Sequence, residues 1–228
     1  MMKLIVFSCK YPKLLPYFAK QLKKYYTDSI DVIVLSHKEL PSDLPDNFSH
    51  YKLPSYSSSW VDDIYPFFEQ FKDKYFLSCM EDHFLHDYVD KEVIHDAVKL
   101  FDWEHIDKFG FQIGRRTGAE PYSEDKVYHK MNTRCNLASS LQPSIWRTTF
   151  FKKILDASRG LNAWEFETAN KNSELVTEHT VLYKESPEPW QVADIVRNSQ
   201  PNKSFWDNRL TCEEDREVFE AATAEILK

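Results

Sequence analysis

The sequence predicts an α/β protein: one domain with a mostly parallel central sheet flanked by helices, followed by an irregular and helical C-terminal extension. The order of elements at the start of the chain supports this, because an apolar run, an amphipathic helix and a second apolar run follow one another. That order is typical of two parallel strands joined by a crossover helix. The length of 228 residues suits one large domain with a trailing segment. We predict a domain over residues 1–185 and an extension over residues 186–228 that packs on it.

The elements of the first half are predicted from hydrophobic periodicity. Short apolar runs are typical of buried strands, and they occupy residues 3–8, 31–35 and 74–80, with a shorter possible strand at 49–53. Apolar residues that recur every three or four positions indicate helices, here over residues 14–25 and 60–71. Ser58 or Ser59 is positioned to cap the second of these helices.

The elements of the second half are less regular. The pattern predicts helices over residues 90–101, 148–155, 163–168 and 213–227, and strands over residues 109–113 and 176–183. Residues 114–136 are polar and indicate a long loop, and residues 137–146 are apolar without a clear period. Residues 186–207 contain three prolines and indicate irregular structure.

The composition restricts the class of protein. The formal net charge is -7, whereas a duplex DNA-binding protein normally carries a basic surface. One basic stretch fits either a solvated loop or an anion-binding loop, and it contains Arg115, Arg116, Lys126, His129, Lys130 and Arg134. Only 4 glycines occur in the chain, which argues against a glycine-rich phosphate loop.

The chain lacks the sequence features of membrane and secreted proteins. No apolar segment approaches the roughly 18 residues of a membrane-spanning helix, and the first apolar run ends before Lys10, too early for a signal peptide. The 4 cysteines are far apart and form no metal-binding pair, which is typical of a reducing compartment. We therefore expect a soluble cytoplasmic protein without integral membrane association.

An acidic segment, Glu81-Asp82-His83, follows the predicted strand 74–80. Ligands of open α/β sheets bind at the carboxyl ends of parallel strands, so the segment is well placed for chemistry. Adjacent carboxylates suit a hard divalent cation that shares its shell with substrate phosphates. A histidine ligand at His83 favours manganese over magnesium. The alternative is an ordinary turn with solvated acids.

A second segment, Trp164-Glu165-Phe166-Glu167, places two carboxylates beside two aromatic rings. An aromatic surface next to a carboxylate suits a sugar, whose apolar face stacks on the ring. Apolar surroundings also favour a carboxylate that acts as a general base. The alternative is that Trp164 and Phe166 are core residues and that the acids favour a helix N-terminus.

Together the two segments resemble those of GT-A fold glycosyltransferases, especially small bacterial and phage-encoded members, over roughly residues 3–183. Phe76-Leu-Ser-Cys-Met-Glu-Asp-His-Phe-Leu85 stands where that family has a strand ending in an Asp-x-Asp-type metal motif. Ser140-Leu-Gln-Pro-Ser-Ile-Trp-Arg147 and Trp164-Glu-Phe-Glu167 resemble its acceptor-side segment. The departure is the triplet itself, which is Glu-Asp-His in this chain. The resemblance implies a GT-A-like, Rossmann-like domain.

The resemblance also implies a nucleotide-diphosphate sugar as donor and Mn²⁺ or Mg²⁺ as metal. Asp82 then binds the metal, assisted by Glu81 or His83, and His179 is a candidate further ligand on the predicted late strand. The end of the first strand faces the nucleotide in this interpretation, through Phe7, Ser8, Cys9 and Lys10.

On the other side of the site, Trp164 contacts a sugar, and either Glu165 or Glu167 removes the acceptor's proton in an inverting enzyme. The acceptor hydroxyl belongs to a glycan or to a hydroxymethylated base of phage DNA. Two alternatives remain. One is a sugar nucleotidyltransferase, which the absence of glycine in Ser8-Cys-Lys-Tyr-Pro12 disfavours. The other is a binding module of the same fold without turnover.

Overall fold

The computed structural model describes residues 2–8, 10–26, 29–54, 57–103, 106–111, 120–121, 128–130, 139–169, 180–184, 189–197, 199–206, 210 and 212–227. Its strands are β1 (Lys3–Phe7), β2 (Val32–Ser36), β3 (Phe48–Lys52), β4 (Tyr75–Met80), β5 (His83–Leu85), β6 (Ile106–Gly110), β7 (Glu120–Pro121), β8 (Tyr128–Lys130), β9 (Ser144–Arg147), β10 (Thr180–Lys184), β11 (Val192–Asp194), β12 (Val196–Arg197) and β13 (Gln200–Pro201). Its helices are α1 (Leu15–Tyr25), which follows a 3₁₀ turn at Pro12–Leu14, α2 (Trp60–Gln70), α3 (Lys91–Trp103), α4 (Thr148–Ala157), α5 (Ala163–Ala169), α6 (Lys203–Trp206) and α7 (Glu213–Ile226).

The central sheet has nine strands within the described ranges, in the order β3-β2-β1-β4-β9-β6-β10-β8-β7. Strands β3, β2, β1 and β4 pair in parallel, and β6 pairs in parallel with β10. Strand β9 lies antiparallel between β4 and β6, so β6 and β10 run in the same direction as β1. The predicted α/β class with a mostly parallel sheet is confirmed.

The direction in which the sheet grows reverses beside β1. Helix α1 connects β1 to β2 on one side, whereas the chain returns through α2 to place β4 on the other side of β1. The last residues of the two central strands, Phe7 and Met80, are paired neighbours. A crevice forms beyond the carboxyl ends of strands at such a reversal, and ligands of α/β folds bind there.

Helices cover both faces of the sheet. One hydrophobic cluster joins residues of α1, α3 and α7 to the sheet, and a second joins residues of α2, α4 and α5. Strand β1 contributes to both, since Leu4 and Val6 belong to the first cluster and Ile5 and Phe7 to the second. None of the helices in the described ranges has the length and apolar character needed to span a membrane.

The strands and helices of the first half of the chain were predicted well from local sequence patterns. The strands expected at 3–8, 31–35 and 74–80 and the helices expected at 14–25 and 60–71 are present within a few residues of those bounds. Ser59 is the cap of α2, because its hydroxyl accepts the backbone N–H of Asp62 at 3.1 Å. The weaker strand expected at 49–53 is β3.

The second half differs from expectation in three places. The strand expected at 109–113 is β6, which begins at Ile106 and contains the buried polar residues Asp107 and Lys108, residue types that usually mark a surface. The predicted loop 114–136 includes the short strands β7 and β8; β8 pairs with distant β10, and β7 pairs with β8. The apolar stretch 137–146 ends in β9, an inserted antiparallel strand without a local signal.

The C-terminal segment contains more regular structure than residues 186–207 suggested. Strands β11, β12 and β13 and helix α6 lie within it. Its buried side chains Trp190 and Val192, and Phe219 of α7, join the same hydrophobic cluster as α1 and α3. The segment therefore contributes to the core, and the division at residue 185 stays a prediction.

Candidate active site at the end of the central strands

The acidic turn lies directly beyond β4, beside the end of β1. Glu81 and Asp82 form the turn, and His83 begins β5. The backbone carbonyl of Asp82 accepts the N–H of Ile195 at 2.9 Å, and β5 pairs antiparallel with β11. The turn is therefore held between the central sheet and the C-terminal segment.

Glu81 connects the acidic turn to the loop after β1 by hydrogen bonds. Its Oε1 accepts the backbone N–H of Lys10 at 3.2 Å and that of Tyr11 at 2.9 Å, and the side chain is only 3% exposed. Burial raises the pKa of the Glu81 carboxyl, because the loss of hydration outweighs the stabilising N–H groups. One of its oxygens is thus occupied in joining the ends of the two strands.

His83 is buried between two partners. Its Nδ1 accepts the N–H of Met80 at 3.3 Å, which leaves the proton on Nε2, and Nε2 lies 3.6 Å from Oδ1 of Asp194. Burial lowers the pKa of His83, and the charges of Asp194 and Glu167 oppose that shift. Both ring nitrogens therefore have neighbours in the protein.

Asp82 and Asp194 are neighbours where β5 pairs with β11. Asp194 is the residue of β11 that lies opposite His83 in the strand register, and its side chain is partly exposed. The pKa of Asp82 is raised well above its usual range by burial, and further by the charges of Glu81 and Asp194. Asp82 is half-buried, and the loss of hydration is the largest cause of its raised pKa. Sequence reasoning missed Asp194, since only long-range pairing brings it to the turn.

The residues around the acidic turn provide few ligands for a divalent cation. No group of three His, Cys, Asp or Glu side chains within the described ranges is arranged to hold a metal ion. Glu81 accepts two backbone N–H groups, and Asp194 lies 3.6 Å from His83 Nε2, so both carboxylates already have protein neighbours. Magnesium is commonly bound by one or two carboxylates together with substrate phosphates, and Asp82 and Asp194 are the candidates for that role.

A cleft of about 720 Å³ opens beside the turn, at the carboxyl ends of β1, β2 and β4. It is large enough for a substantial part of a drug-sized ligand. Its walls combine basic, acidic and aromatic side chains, and they include Lys10, His37, Lys38, Trp60, Asp63, Met80 and Trp164.

His37 and Asp63 form a buried pair in the wall of this cleft. His37 Nε2 lies 3.2 Å from Oδ2 of Asp63, and His37 Nδ1 lies 2.7 Å from the carbonyl oxygen of Pro54. Both ring nitrogens therefore lie near oxygen atoms of the protein. Asp63 also accepts the N–H of Ser57 at 3.4 Å, so the pair ties the end of β2 to α2.

The four residues that were predicted to face the nucleotide at the end of β1 lie in different surroundings. The ring of Phe7 is fully buried and packs edge-on against Trp60 at 5.3 Å, so only its backbone is near the cleft. Ser8 is fully buried, and its hydroxyl has no hydrogen-bond partner among the described residues. Lys10 lines the cleft, and its Nζ donates to Ser199 Oγ at 2.6 Å. Cys9 lies outside the described residues.

The start of α5 presents Trp164 at the mouth of the cleft. Trp164 lines the cleft and is 69% exposed. The residues on either side of it hold the start of α5 in place. Asn162 and Glu165 form a reciprocal capping box, since Asn162 Oδ1 accepts the N–H of Glu165 at 3.0 Å and Glu165 Oε2 accepts the N–H of Asn162 at 2.9 Å. Phe166 is buried against Trp60.

Glu167 points into the protein, unlike Glu165. Its Oε1 accepts the N–H of Leu141 at 2.6 Å and the hydroxyl of Ser140 at 3.2 Å. Its charge opposes the effect of burial on the pKa of His83. Of the two glutamates, Glu167 is the one bound by Ser140 and Leu141, whereas Glu165 caps α5.

Two further expectations fall on other parts of the chain. His179 lies outside the described residues. Of the six basic residues named in the stretch 115–134, His129 and Lys130 belong to the described part, on β8.

No protein-family model and no curated protein matches the sequence. Solved structures resemble the fold. S. aureus TarS 1–349 has a TM-score of 0.51 over 99% of this chain and 71% of that chain, at 16% identity. UDP-glucose pyrophosphorylase complexed with UDP-glucose has a TM-score of 0.53 over 85% of this chain and 93% of that chain, at 7% identity. This chain covers 43% of a longer S. aureus TarS structure. The likeness shows that this chain has an α/β, Rossmann-like fold shared with proteins whose structures contain uridine nucleotides.

Proposed function

We propose that the protein transfers a sugar from a nucleotide-diphosphate sugar to a hydroxyl acceptor. The observation that carries this proposal is the 720 Å³ cleft at the reversal point of the sheet, which is lined by Met80, the residue directly before the acidic turn. Ligands of α/β folds bind at that point. The resemblance of the sequence motifs to GT-A glycosyltransferases and the fold likeness to TarS, a glycosyltransferase, support the same reaction.

Each part of the site has a role in this proposal. The cleft lined by Lys10, His37 and Trp164 receives the donor, with the lysine near the phosphates. Asp82 and Asp194 hold Mn²⁺ or Mg²⁺, which would act as a Lewis acid toward the leaving diphosphate. Glu167 removes the proton of the acceptor hydroxyl, because its charge acts on His83 of the acidic turn whereas Glu165 caps α5.

The test is donor turnover with a panel of nucleotide sugars and Mn²⁺ or Mg²⁺. We expect wild-type protein to hydrolyse or transfer one sugar, and Asp82→Asn to lose at least about 100-fold in rate, as for other charge-stabilising groups. Asp96→Asn is the matched control, since Asp96 is an exposed acid of α3 paired with Lys99. Equal rates in Asp82→Asn and wild type, or no turnover of any donor, would contradict the proposal.

A sugar nucleotidyltransferase is the second candidate, because the fold likeness to UDP-glucose pyrophosphorylase covers 93% of that chain. Such an enzyme joins a nucleoside triphosphate to a sugar phosphate and releases pyrophosphate. A pyrophosphate-release assay with each nucleoside triphosphate and a set of sugar phosphates separates the two reactions. Binding of a nucleotide sugar without any product, and unchanged by a chelator, would instead favour a binding module.

A further inference from the structure

A lysine ammonium lies inside the protein close to the proposed base. Lys108 of β6 is 0% exposed. Its Nζ donates to the carbonyl oxygen of Ser140 at 2.6 Å and lies 4.0 Å from the ring centre of Trp146. Burying a charged group is costly even when it finds polar and aromatic neighbours. A charge at this position therefore calls for an explanation beyond packing.

The carbonyl that receives Lys108 belongs to the turn that holds Glu167. The hydroxyl of Ser140 and the N–H of Leu141 both donate to Glu167 Oε1. The hydroxyl of Ser139 lies 3.0 Å from the carbonyl oxygen of Phe166 and 3.1 Å from that of Glu167. The turn thus binds both the backbone and the carboxylate at the end of α5.

Lys108 donates a hydrogen bond to this turn from the side of the sheet. The contacts form a continuous series from β6 through the Lys108 ammonium and Ser140 to the Glu167 carboxylate. Strand β6 is paired on both sides, by β9 and by β10, so the lysine backbone is held in the interior of the sheet. A rigid strand is a better support for a reactive group than a loop is.

We propose that Lys108 is a positioning residue for Glu167: its ammonium fixes the Ser140–Leu141 turn, and the turn orients the carboxylate toward the acceptor hydroxyl. This rests on the proposed glycosyl transfer with Glu167 as base. Lys108 does not line the 720 Å³ cleft. Loss of its ammonium is therefore expected to slow proton removal without weakening donor binding.

The experiment compares wild type, Lys108→Met, Glu167→Gln and the double variant in kcat and donor KM. Methionine keeps the length of the apolar stem and removes the charge. We expect Lys108→Met to lower kcat by about 10- to 100-fold, a part of the contribution of a general base, with donor KM within about twofold. In the Glu167→Gln background the same substitution has no further effect on kcat, since residues that act through one another are not additive.

The control for lost stability is Thr148→Val. Thr148 is buried at the other end of the sheet, where its hydroxyl donates to the carbonyl of Asp73 at 2.6 Å. We expect this variant to lower the melting temperature and leave kcat unchanged. If Lys108→Met does not fold, Lys108→Leu takes its place, because leucine also removes both the charge and the N–H donor to Ser140.

Two results would overturn the inference. One is wild-type kcat in the folded Lys108 variant while Glu167→Gln is slow, which leaves the proposed function standing. The other is a loss from the Lys108 variant that multiplies with that of Glu167→Gln, which indicates a separate structural effect. Absence of turnover in the wild type, with every donor, removes the proposed function and this inference together.

Discussion

A buried carboxylate joins the C-terminal helix α7 to helix α1, and its removal gives a large, measurable loss of stability. Asp215 of α7 is 1% exposed. It accepts hydrogen bonds from three residues of α1: Gln21 Nε2 at 3.0 Å, Lys24 Nζ at 2.8 Å and the hydroxyl of Tyr25. Substitution of Asp215 by alanine leaves all three donors without this acceptor.

The magnitude follows from these contacts. Removing one partner of a buried ion pair costs about 3–5 kcal/mol, and a buried donor left unsatisfied costs about 1–3 kcal/mol. Lys24 keeps 26% of its side chain exposed, so water replaces part of its lost interaction. We therefore expect a loss of about 4 kcal/mol in the free energy of unfolding. In a chain of this size that lowers Tm by about 8–16 °C.

The assay is urea and thermal unfolding of Asp215→Ala beside Glu214→Ala. Glu214 contacts the same Lys24 Nζ at 3.0 Å, but its side chain is 55% exposed. An exposed ion pair contributes about 1 kcal/mol or less. We expect Glu214→Ala to unfold within about 3 °C of wild type. Equal destabilisation by the two substitutions would refute the assignment of α7 anchoring to the buried carboxylate.

Three other predictions concern the same helix pair and the cleft. Burial and the hydrogen bond to Asp215 raise the pKa of Tyr25; the pKa of Lys24 is also raised, since its bonds to Asp215 and Glu214 outweigh burial. Both groups hold their protons more tightly when folded, so the free energy of unfolding decreases as pH rises above about 10, less steeply in Asp215→Asn. Unfolding midpoints measured from about pH 8 to about pH 11, on both sides of the ordinary tyrosine pKa, check this. Trp164→Ala leaves Tm unchanged, because the side chain is exposed, and raises the Kd for the donor roughly tenfold, or about 1.4 kcal/mol, in a calorimetric titration. Glu165→Gln preserves the capping box and keeps wild-type kcat, and a loss comparable to that of Glu167→Gln in a steady-state assay would assign the base to Glu165 instead.

The part of the fold that could be predicted is the part encoded locally. Strand β1 and helix α1 are specified by their own residues, and Ser59 caps α2 through a contact three positions away. Strand β9 has no such signal, because it is a strand only by pairing with β4 and β6. The start of β6 was not predicted, because it contains Lys108 and a lysine in a sequence usually indicates a surface position.

In the candidate site, too, the residues that could be predicted are those with a local sequence pattern. The acidic turn was located because it follows an apolar strand directly, and Trp164 because it adjoins two glutamates. The contacts of Glu81 with the backbone of Lys10 and Tyr11 follow from the parallel pairing of β1 and β4. Asp194 reaches the turn through β11, a strand in a segment without periodicity. Roles that depend on tertiary pairing therefore required the structure.

The inserted strand β9 also has a consequence for the order in which the chain is assembled. Ser78 of β4 and Ser144 of β9 are paired, although 66 positions separate them in the sequence. At a synthesis rate of about 5–20 residues per second, the β4 edge of a growing chain stays open for about 3 to 13 seconds. Open strand edges pair readily with other chains. On the ribosome, protection of the nascent sheet against mispairing thus begins only with the emergence of Ser144–Arg147.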